Sequence, residues 1–375
     1  MKQKLLITLL IAISFSKIIA QKLPYPIIFI HGLISDDTTW NNMKNSLTNN
    51  YNLTYGGRIN FCLNQDGLNS TSNLGADIQL YTSATFTTGD FYVINFDINN
   101  LGVLYPTGTA DVLSNEAAIT KQGFALKTAI QLVLNQTNRD KVILFGHSMG
   151  GLCAREYLQN PSNWQPDGMH HVAKLITTGT PHLGSNAIGG QIVGVDLLSD
   201  AMRDLKNTYD DSQLNSVYLF GGNELNSVMD DGSNNYYNVD VNCDGISNGD
   251  FVTGLNYKPM YTNLDFACII GTGALGLGDI AVTTDSANLN NIYPNLTTNI
   301  FTTAVLHNFL PDQLYPNMKG LDEPNEFNIA YGINFDIPYV GFITEQNPQS
   351  PYPTVDYDDY KFNVTSNSQI NLVVN

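Results

Sequence analysis

The chain has 375 residues, of which 34 are acidic and 17 basic, so its formal net charge is −17. Nucleic acids are bound by clustered lysines and arginines, and anionic membranes attract basic segments, so this charge argues against both as partners. Hydrophobic residues make up 43% of the chain, which supplies one large or two ordinary cores and excludes global disorder, while neutral lipids and esters stay open as substrates.

Residues 1–20 have the pattern of a secretory signal peptide. Lysines precede an apolar run from Leu5 to Phe15, and Ala20 ends a small-residue cleavage site. Lys17 interrupts the stretch, which is therefore too short to serve as a transmembrane anchor. Cleavage would leave 14 basic and 34 acidic residues and a formal charge of −20. We expect a secreted protein without a transmembrane segment.

Secretion permits both N-glycosylation and disulfide formation. Five N-x-S/T sequons begin at Asn52, Asn69, Asn135, Asn295 and Asn363. Of the four cysteines, Cys153 lies in an apolar helical segment, where a buried free thiol is expected. Three candidates then allow at most one bridge, and the short separation favours Cys243–Cys268.

Short apolar strands alternate with helical segments along the chain. The strands are predicted at Pro26–Ile30, Phe91–Phe96, Lys141–Phe145, Val172–Thr177 and Phe266–Ile270. Helices are predicted at 112–135, from apolar residues at helical spacing, and at Leu152–Leu158. This alternation predicts an α/β fold with a mostly parallel sheet covered by helices on both faces.

Two segments break the alternation. Residues 185–265 are rich in Gly, Asn and Asp and contain one amphipathic piece, Ile192–Leu205, which indicates an inserted cap or lid. After residue 325, Pro and Tyr accompany alternating apolar positions, which indicates a small β-rich tail over 326–375. The α/β domain would then span 21–325 and carry the insertion.

A nucleophile motif stands between a predicted strand and a predicted helix. Gly146-His147-Ser148-Met149-Gly150 matches G-x-S-x-G, and the strand–turn–helix context is the one that a nucleophile elbow requires. An oxyanion hole needs two backbone N–H donors. The predicted donors are Met149, next to the serine, and Leu33, which follows His31-Gly32 at the end of the first strand. His31 itself is expected to be structural.

These motifs, together with Thr180-Pro181-His182-Leu183-Gly184-Ser185, resemble those of secreted lipases and esterases of the α/β-hydrolase fold. The similarity is to bacterial-type triacylglycerol lipases and PGAP-like acyl-ester hydrolases, and it covers roughly residues 24–325. It implies the chain order serine, acid, histidine. It also implies that the Thr180–Ser185 turn is structural and borders the lid.

The histidines that follow Ser148 are the candidates for the general base. His170 and His171 immediately precede a strand, whereas active sites of open α/β sheets lie at the carboxyl ends of strands. His307 follows the last strand-like segment in a loop and is the predicted base. His182 remains a rival.

The predicted acid is Asp279, which would hold the tautomer of His307. Gly278-Asp279-Ile280-Ala281-Val282 resembles the acid-bearing stretch of the lipases, although Ile280 stands where the family has glycine. A triad is recognised by geometry rather than by position, so other carboxylates stay open. These rivals are Asp265, Asp250 and Asp285.

A second candidate site begins with Asp240-Val241-Asn242-Cys243-Asp244-Gly245, which matches the start of an EF-hand-like loop. The possible calcium ligands are Asp240, Asn242, Asp244, Ile246 through its carbonyl, and Asp250. The acidic twelfth position is occupied by Phe251, and Asp250 stands one position earlier. A structural Ca²⁺ is therefore one interpretation and an Asx-rich turn the other. The chemistry at Ser148 needs no cofactor.

These features predict a secreted serine carboxylic-ester hydrolase, in the first place a monomeric lipase that acts on a lipid or small ester, with a lipid–water interface as a possible partner. Apolar residues of the lid would be Ile192, Val193, Val195, Leu197 and Leu198. A phospholipase or an acyltransferase with the same triad is an alternative, because the fold does not determine the acceptor. A catalytically silent, calcium-stabilised binding protein is an alternative of another class, disfavoured by the complete set Ser148, His307 and Asp279.

Overall fold

The computed structural model describes 14 stretches of the chain. They are 22–64, 74, 77–83, 85–103, 114–185, 199–206, 208–209, 214–224, 240–246, 250–273, 275–324, 329–334, 338–342 and 360–362. The predicted signal peptide, the lid residues 192–198 and the sequons at Asn69 and Asn363 lie outside these stretches.

One eight-stranded sheet forms the centre of the α/β domain. Its strands are β1 Ile27–Ile30, β2 Tyr55–Leu63, β3 Ile78–Thr82, β4 Phe91–Asn95, β5 Val142–His147, β6 Val172–Thr178, β7 Asp265–Gly271 and β8 Thr298–Thr303. The strand order is β8-β7-β6-β5-β1-β4-β2-β3. Every neighbouring pair is parallel except β2 and β3, which are antiparallel.

Helices cover the sheet and the insertion. They are α1 Asn41–Asn49, α2 Ile119–Thr137, α3 Met149–Gln159, α4 Asp200–Leu205, α5 Val217–Phe220, α6 Thr284–Ala287 and α7 Leu314–Gly320. Short 3-10 helices lie at Asp37–Trp40, Ser114–Glu116, Pro161–Asn163, Leu255–Tyr257, Leu289–Asn291 and His307–Phe309. Within the described residues no helix is long and apolar enough to cross a bilayer.

The alternation of strand side chains builds two cores. In β1, Ile28 and Ile30 pack in one cluster with residues of α2 and α3, whereas Ile27 and Phe29 pack on the other face with residues of α1. Both faces of the parallel strands are therefore buried. The predicted mostly parallel sheet flanked by helices is confirmed, and its arrangement is that of the α/β-hydrolase fold.

The two segments that break the alternation pack against this domain. In the insertion, α4 and α5 form a third apolar cluster with Met149 and Leu152 of α3. Small antiparallel pairs join Thr208–Tyr209 to Leu214–Asn215 and Gly222–Asn223 to Phe251–Val252. In the tail, Tyr331–Gly332 pairs with Tyr360–Lys361, and the Tyr331 ring meets Tyr25 edge-on at 5.1 Å. The domain boundaries themselves stay predictions.

The predicted Cys243–Cys268 disulfide is wrong, because none of the four cysteines is in a disulfide and all four are buried. Cys268 lies within β7, where its sulfur accepts a hydrogen bond from the Thr177 hydroxyl at 3.3 Å. Cys243 lies in a loop of the insertion. The short separation between the two cysteines in sequence did not predict their pairing, because β7 holds Cys268 inside the core.

A buried ion pair joins β6 to β7 at their amino-terminal halves. Lys174 lies opposite Asp265 in the register, and its ammonium is 2.5 Å from the Asp265 carboxylate. Lys174 also donates to the Asp322 carbonyl at 2.5 Å. Neither side chain of the pair is more than 2% exposed. Asp265, a rival for the catalytic acid, therefore has a structural partner at the start of β7.

Removing one partner of this pair should cost far more than removing both. We expect Lys174→Met to lower the free energy of unfolding by about 3–5 kcal/mol, because a buried carboxylate is left uncompensated. Urea unfolding of Lys174→Met and of the double variant Lys174→Met/Asp265→Leu measures this, and the double variant should recover most of the loss. A loss below about 1 kcal/mol in the single variant, typical of exposed pairs, would contradict a buried pair.

Candidate active site

Ser148 occupies a strained backbone conformation at the turn from β5 into α3. Its φ is +53° and its ψ is −128°, and its N–H donates to the Thr178 carbonyl at 2.9 Å. A Cβ on Gly146 would lie 2.4 Å from the Gly151 nitrogen, and one on Gly150 would lie 2.5 Å from two carbonyl oxygens that end β1. Only glycine fits at both positions, so the surrounding backbone holds a conformation that costs about 1–3 kcal/mol.

Three side chains from distant parts of the chain form a hydrogen-bonded row. His307 Nε2 lies 2.7 Å from Ser148 Oγ, and His307 Nδ1 lies 2.8 Å from Asp279 Oδ2. The other Asp279 oxygen accepts the N–H groups of Ala281 at 3.1 Å and Val282 at 2.7 Å. With Nδ1–H donated to the carboxylate, Nε2 is left to accept the Ser148 proton. The row is buried, and the most accessible of the three, His307, is 9% exposed.

The carboxyl ends of β6 and β7 make room for this row. A Cβ on Gly271 would lie 2.6 Å from the Asp279 Cβ. Gly179, with a φ of +59°, leaves no space for a side chain between Asp279 and His307. The His307 N–H also donates to the Asp279 carbonyl at 3.1 Å, which joins the two loops by their backbones.

The structure thus brings Asp279, and not its rivals, to His307. Asp265 pairs with Lys174, and Asp250 lies in the insertion within 3.4 Å of Asn242. Asp285 lies in the first turn of α6.

His147 supports the row, although the sequence motif that contains it predicts no role for it. Its Nε2–H donates to the His307 carbonyl at 3.2 Å, and the two rings are 4.9 Å apart. Burial, followed by the nearby His307, lowers the pKa of His147 well below its ordinary value, so the ring is neutral. The sequence signal that could have found His147 is its place at the end of β5, one residue before Ser148.

The loop after β1 lies directly against the serine. A Cβ on Gly32 would be 2.7 Å from the Ser148 Cβ and 3.2 Å from its Oγ. His31 fixes this loop, since Nδ1–H donates to the Gly32 carbonyl at 2.8 Å and Nε2 accepts the Phe96 N–H at 2.9 Å. Burial lowers the pKa of His31 and keeps it neutral.

Each predicted oxyanion donor stands next in sequence to a residue at the serine: Met149 follows Ser148 itself, and Leu33 follows Gly32. Leu33 follows Gly32 and packs against the apolar cluster of the insertion. Met149 opens α3, so its N–H has no carbonyl one turn earlier in the helix.

The remaining histidines lie away from the hydrogen-bonded row. His182 is buried, with Nδ1 3.3 Å from an Arg155 nitrogen and Nε2 3.3 Å from the Thr177 hydroxyl. Arg155 itself is buried and donates to neutral oxygens of Gln159, Asn256 and Tyr293. His171 contacts Asp140 and Asp167 before β6 begins.

The predicted calcium loop is closed by its own hydrogen bonds. The Asp240 carboxylate accepts the N–H groups of Asp244 at 3.0 Å and Gly245 at 2.8 Å, and Asn242 donates to Asp244 at 3.0 Å. Within the described stretches, His, Cys, Asp and Glu side chains nowhere form a group of three or more that could hold a metal ion. Ile246 is exposed, and residues 247–249 lie outside those stretches. Calcium binding stays a prediction.

Comparison with known proteins identifies a family. The family model described as a PGAP1-like alpha/beta domain matches residues 24–234. No curated protein matches the chain significantly.

Several solved structures are similar at low identity. The mature lipase BlEst2 of Bacillus licheniformis is 15% identical with a TM-score of 0.42, and the match covers 80% of this chain and 92% of that one. A Listeria innocua gene product is 15% identical with a TM-score of 0.45, over 79% of this chain and 91% of that one. An epoxide hydrolase from Bacillus megaterium is 13% identical with a TM-score of 0.36, over 80% and 93%.

Asp97 lies just beyond the carboxyl end of β4, close to the loop that carries Leu33. It accepts a hydrogen bond from the Asn115 amide at 3.1 Å, and the same amide donates to the Ser35 carbonyl at 3.1 Å. Burial, followed by the charge of Asp36, raises the pKa of Asp97 to about 6. Ionised Asp97 is therefore a cost to the native state.

This shift predicts how stability changes with pH. Between about pH 4 and 6 the unfolded chain loses the Asp97 proton while the folded chain retains it, so this group lowers the stability as the pH rises through that range. We expect Asp97→Asn, which keeps an acceptor for Asn115, to gain stability relative to the parent over the same range. Melting temperatures at pH 4.5 and 7.5 measure this difference, and a constant difference would contradict the assignment.

Proposed function

Since the chain belongs to the PGAP1-like alpha/beta domain family, whose model matches residues 24–234, we propose that it is a secreted serine hydrolase that cleaves carboxylic esters, lipid esters in the first place. The observation that carries the proposal is the row in which His307 joins Ser148 Oγ at 2.7 Å to Asp279 at 2.8 Å. A serine, a histidine and a buried carboxylate in this geometry are the elements of nucleophilic acyl transfer.

The proposed reaction proceeds through an acyl-enzyme. His307 Nε2 removes the Ser148 proton as Oγ attacks the ester carbonyl, and Asp279 stabilises the imidazolium that forms. The N–H groups of Leu33 and Met149 bind the oxyanion of the tetrahedral intermediate. The imidazolium then protonates the leaving alcohol. A water molecule, deprotonated by His307, releases the acid and restores Ser148.

Exposed apolar side chains near Asp279 and His307 in sequence, called here the apolar rim, support a lipid ester as the substrate. Large hydrophobic side chains are exposed on the loop before Asp279, at the residue after it and on both sides of His307. They are Leu275, Leu277, Ile280, Leu306 and Phe309. Leu275 and Leu277 are 85% and 73% exposed, which is costly in water unless the residues meet an apolar partner. An acyl chain or a lipid–water interface would cover them.

The chemical part of the proposal is tested on soluble esters. We expect Ser148→Ala to lower the hydrolysis of p-nitrophenyl esters by at least about 10³-fold and to abolish labelling by a fluorophosphonate probe. Asp279→Asn should lower kcat on the order of 10⁴-fold, because the His307 tautomer is lost. Ser162→Ala, at an exposed serine in the 3-10 helix Pro161–Asn163, is the matched control and should keep the parent rate.

Either activity or labelling that persists in Ser148→Ala would overturn the proposal. Inactive parent protein that also fails to label would favour a silent binding protein. Product analysis with a long-chain alcohol present separates hydrolysis from acyl transfer to that alcohol.

The apolar rim is tested on emulsified substrate. We expect Leu275→Ser/Leu277→Ser to lower the rate on an emulsified triacylglycerol by about tenfold or more, because less apolar surface meets the interface. The rate on p-nitrophenyl butyrate should stay near that of the parent. Met169→Ser, at a 54% exposed residue ahead of β6, is the control and should change neither rate. Equal losses on both substrates would place the effect in the fold instead of the interface.

A further inference from the structure

A polar cavity lies at the amino-terminal end of the sheet, opposite Ser148. Its volume is about 510 Å³. Its walls come from the segment before β1 (Pro24 and Tyr25), from residues 138–141 between α2 and β5, and from the tail at 332–334 and 361–362. Since β5 begins at Val142 and ends beside the serine, roughly 20 Å of strand separates the cavity from Ser148.

Three cations face this cavity in a chain that is otherwise strongly acidic. Arg139, Lys141 and Lys361 line it, together with a single carboxylate, Asp140. The whole chain has 17 basic residues against 34 acidic ones, so this local excess of two positive charges runs against the charge of the molecule. Small anions in solution can enter such a cavity, whereas extended polyanions are repelled by the surrounding surface.

The two lysines lie close together. Among the described residues, neither ammonium has a hydrogen-bond or ion-pair partner. Burial, followed by the charge of Lys361, lowers the pKa of Lys141, and Asp140 only partly opposes the shift. Two like charges held near each other by separate parts of the chain repel, and an anion between them would relieve that repulsion.

Neighbouring groups complete a set of donors. The Arg139 guanidinium is oriented by Tyr339, since it donates to that hydroxyl at 3.2 Å and lies 5.5 Å from the ring centroid. The Tyr25 hydroxyl accepts the Gly332 N–H at 2.9 Å, which leaves its own proton to donate. Lysine and arginine donors around one point are the usual way in which proteins hold phosphate groups.

We propose that this cavity binds a phosphate group, either as inorganic phosphate or as a phosphomonoester. A phosphate dianion matches the net charge of the four ionised side chains. The cavity is larger than the ion itself and lies in the size range of small-molecule sites, which leaves room for an organic substituent. The site is independent of the proposed ester hydrolysis at Ser148, and it assigns a role to the C-terminal tail, which supplies Lys361.

Thermal melting and titration calorimetry of the full chain test this site. The probes are sodium phosphate and glycerol 3-phosphate, each compared with sodium chloride at equal ionic strength. We expect millimolar phosphate or phosphomonoester to raise the Tm of the parent by at least about 2 °C. Lys141→Gln/Lys361→Gln should lose this shift. The matched control Lys127→Gln/Lys319→Gln, which removes two charges outside the cavity, should keep it.

The two probes distinguish the sources of the phosphate group. Equal affinities indicate that only the phosphate is recognised, and a tighter glycerol 3-phosphate indicates a phosphomonoester; both support the site. No shift beyond that of sodium chloride, or an equal shift in the cavity variant, overturns it.

A labelling measurement on the parent does not depend on any variant. Phosphate should slow the acetylation of Lys141 and Lys361 by acetic anhydride, read by mass spectrometry, relative to Lys127. Unchanged rates at both lysines would overturn the proposal.

Discussion

The positive φ of Ser148 is the constraint on which the rest of the site depends. A serine adopts it only where the neighbouring backbone leaves no alternative, and here the end of β1 presses against Gly150 while the start of α3 presses against Gly146. The same close packing places Gly32 beside the serine side chain. The sheet, helix α3 and the loop after β1 are therefore positioned by one tight contact between three backbones.

The other histidines in this region, His31, His147 and His182, are held neutral by burial. His31, His147 and His182 are fully or almost fully buried, and burial lowers the pKa of each. Each binds a backbone or side-chain group that fixes a loop. Only His307 faces both a carboxylate and the serine hydroxyl. The neutral rings thus serve as rigid supports and add no competing charge beside the serine.

The sequence predicted those residues of the candidate site that a local motif or the chain order indicates. Ser148 follows from five residues in a row, and His307 follows from chain order, because parallel strands bring their carboxyl ends to one edge. β2 escaped prediction because it begins Tyr55-Gly56-Gly57, which has the composition of a turn. The structure shows the reason for glycine there, since a Cβ on Gly56 would lie 2.2 Å from the Tyr92 ring.

Other features depend on long-range contacts that no local pattern records. β3 is an edge strand whose residues are exposed or half-buried, so it lacks the apolar run of a central strand. The contact of His147 with the His307 carbonyl joins residues 160 positions apart. The polar cavity at the amino-terminal end of the sheet combines the segment before β1, the connection between α2 and β5, and the tail, and only folding brings their charges together. The position of Cys268 inside the sheet is of the same kind.

The four buried thiols have a consequence for how the protein can be made and handled. Burial raises the pKa of Cys62, Cys153 and Cys268, so little reactive thiolate is present at neutral pH. No cross-link between cysteines contributes to the fold. Folding therefore needs neither an oxidant nor a disulfide isomerase, and the native chain is indifferent to the redox potential of the compartment in which it is produced.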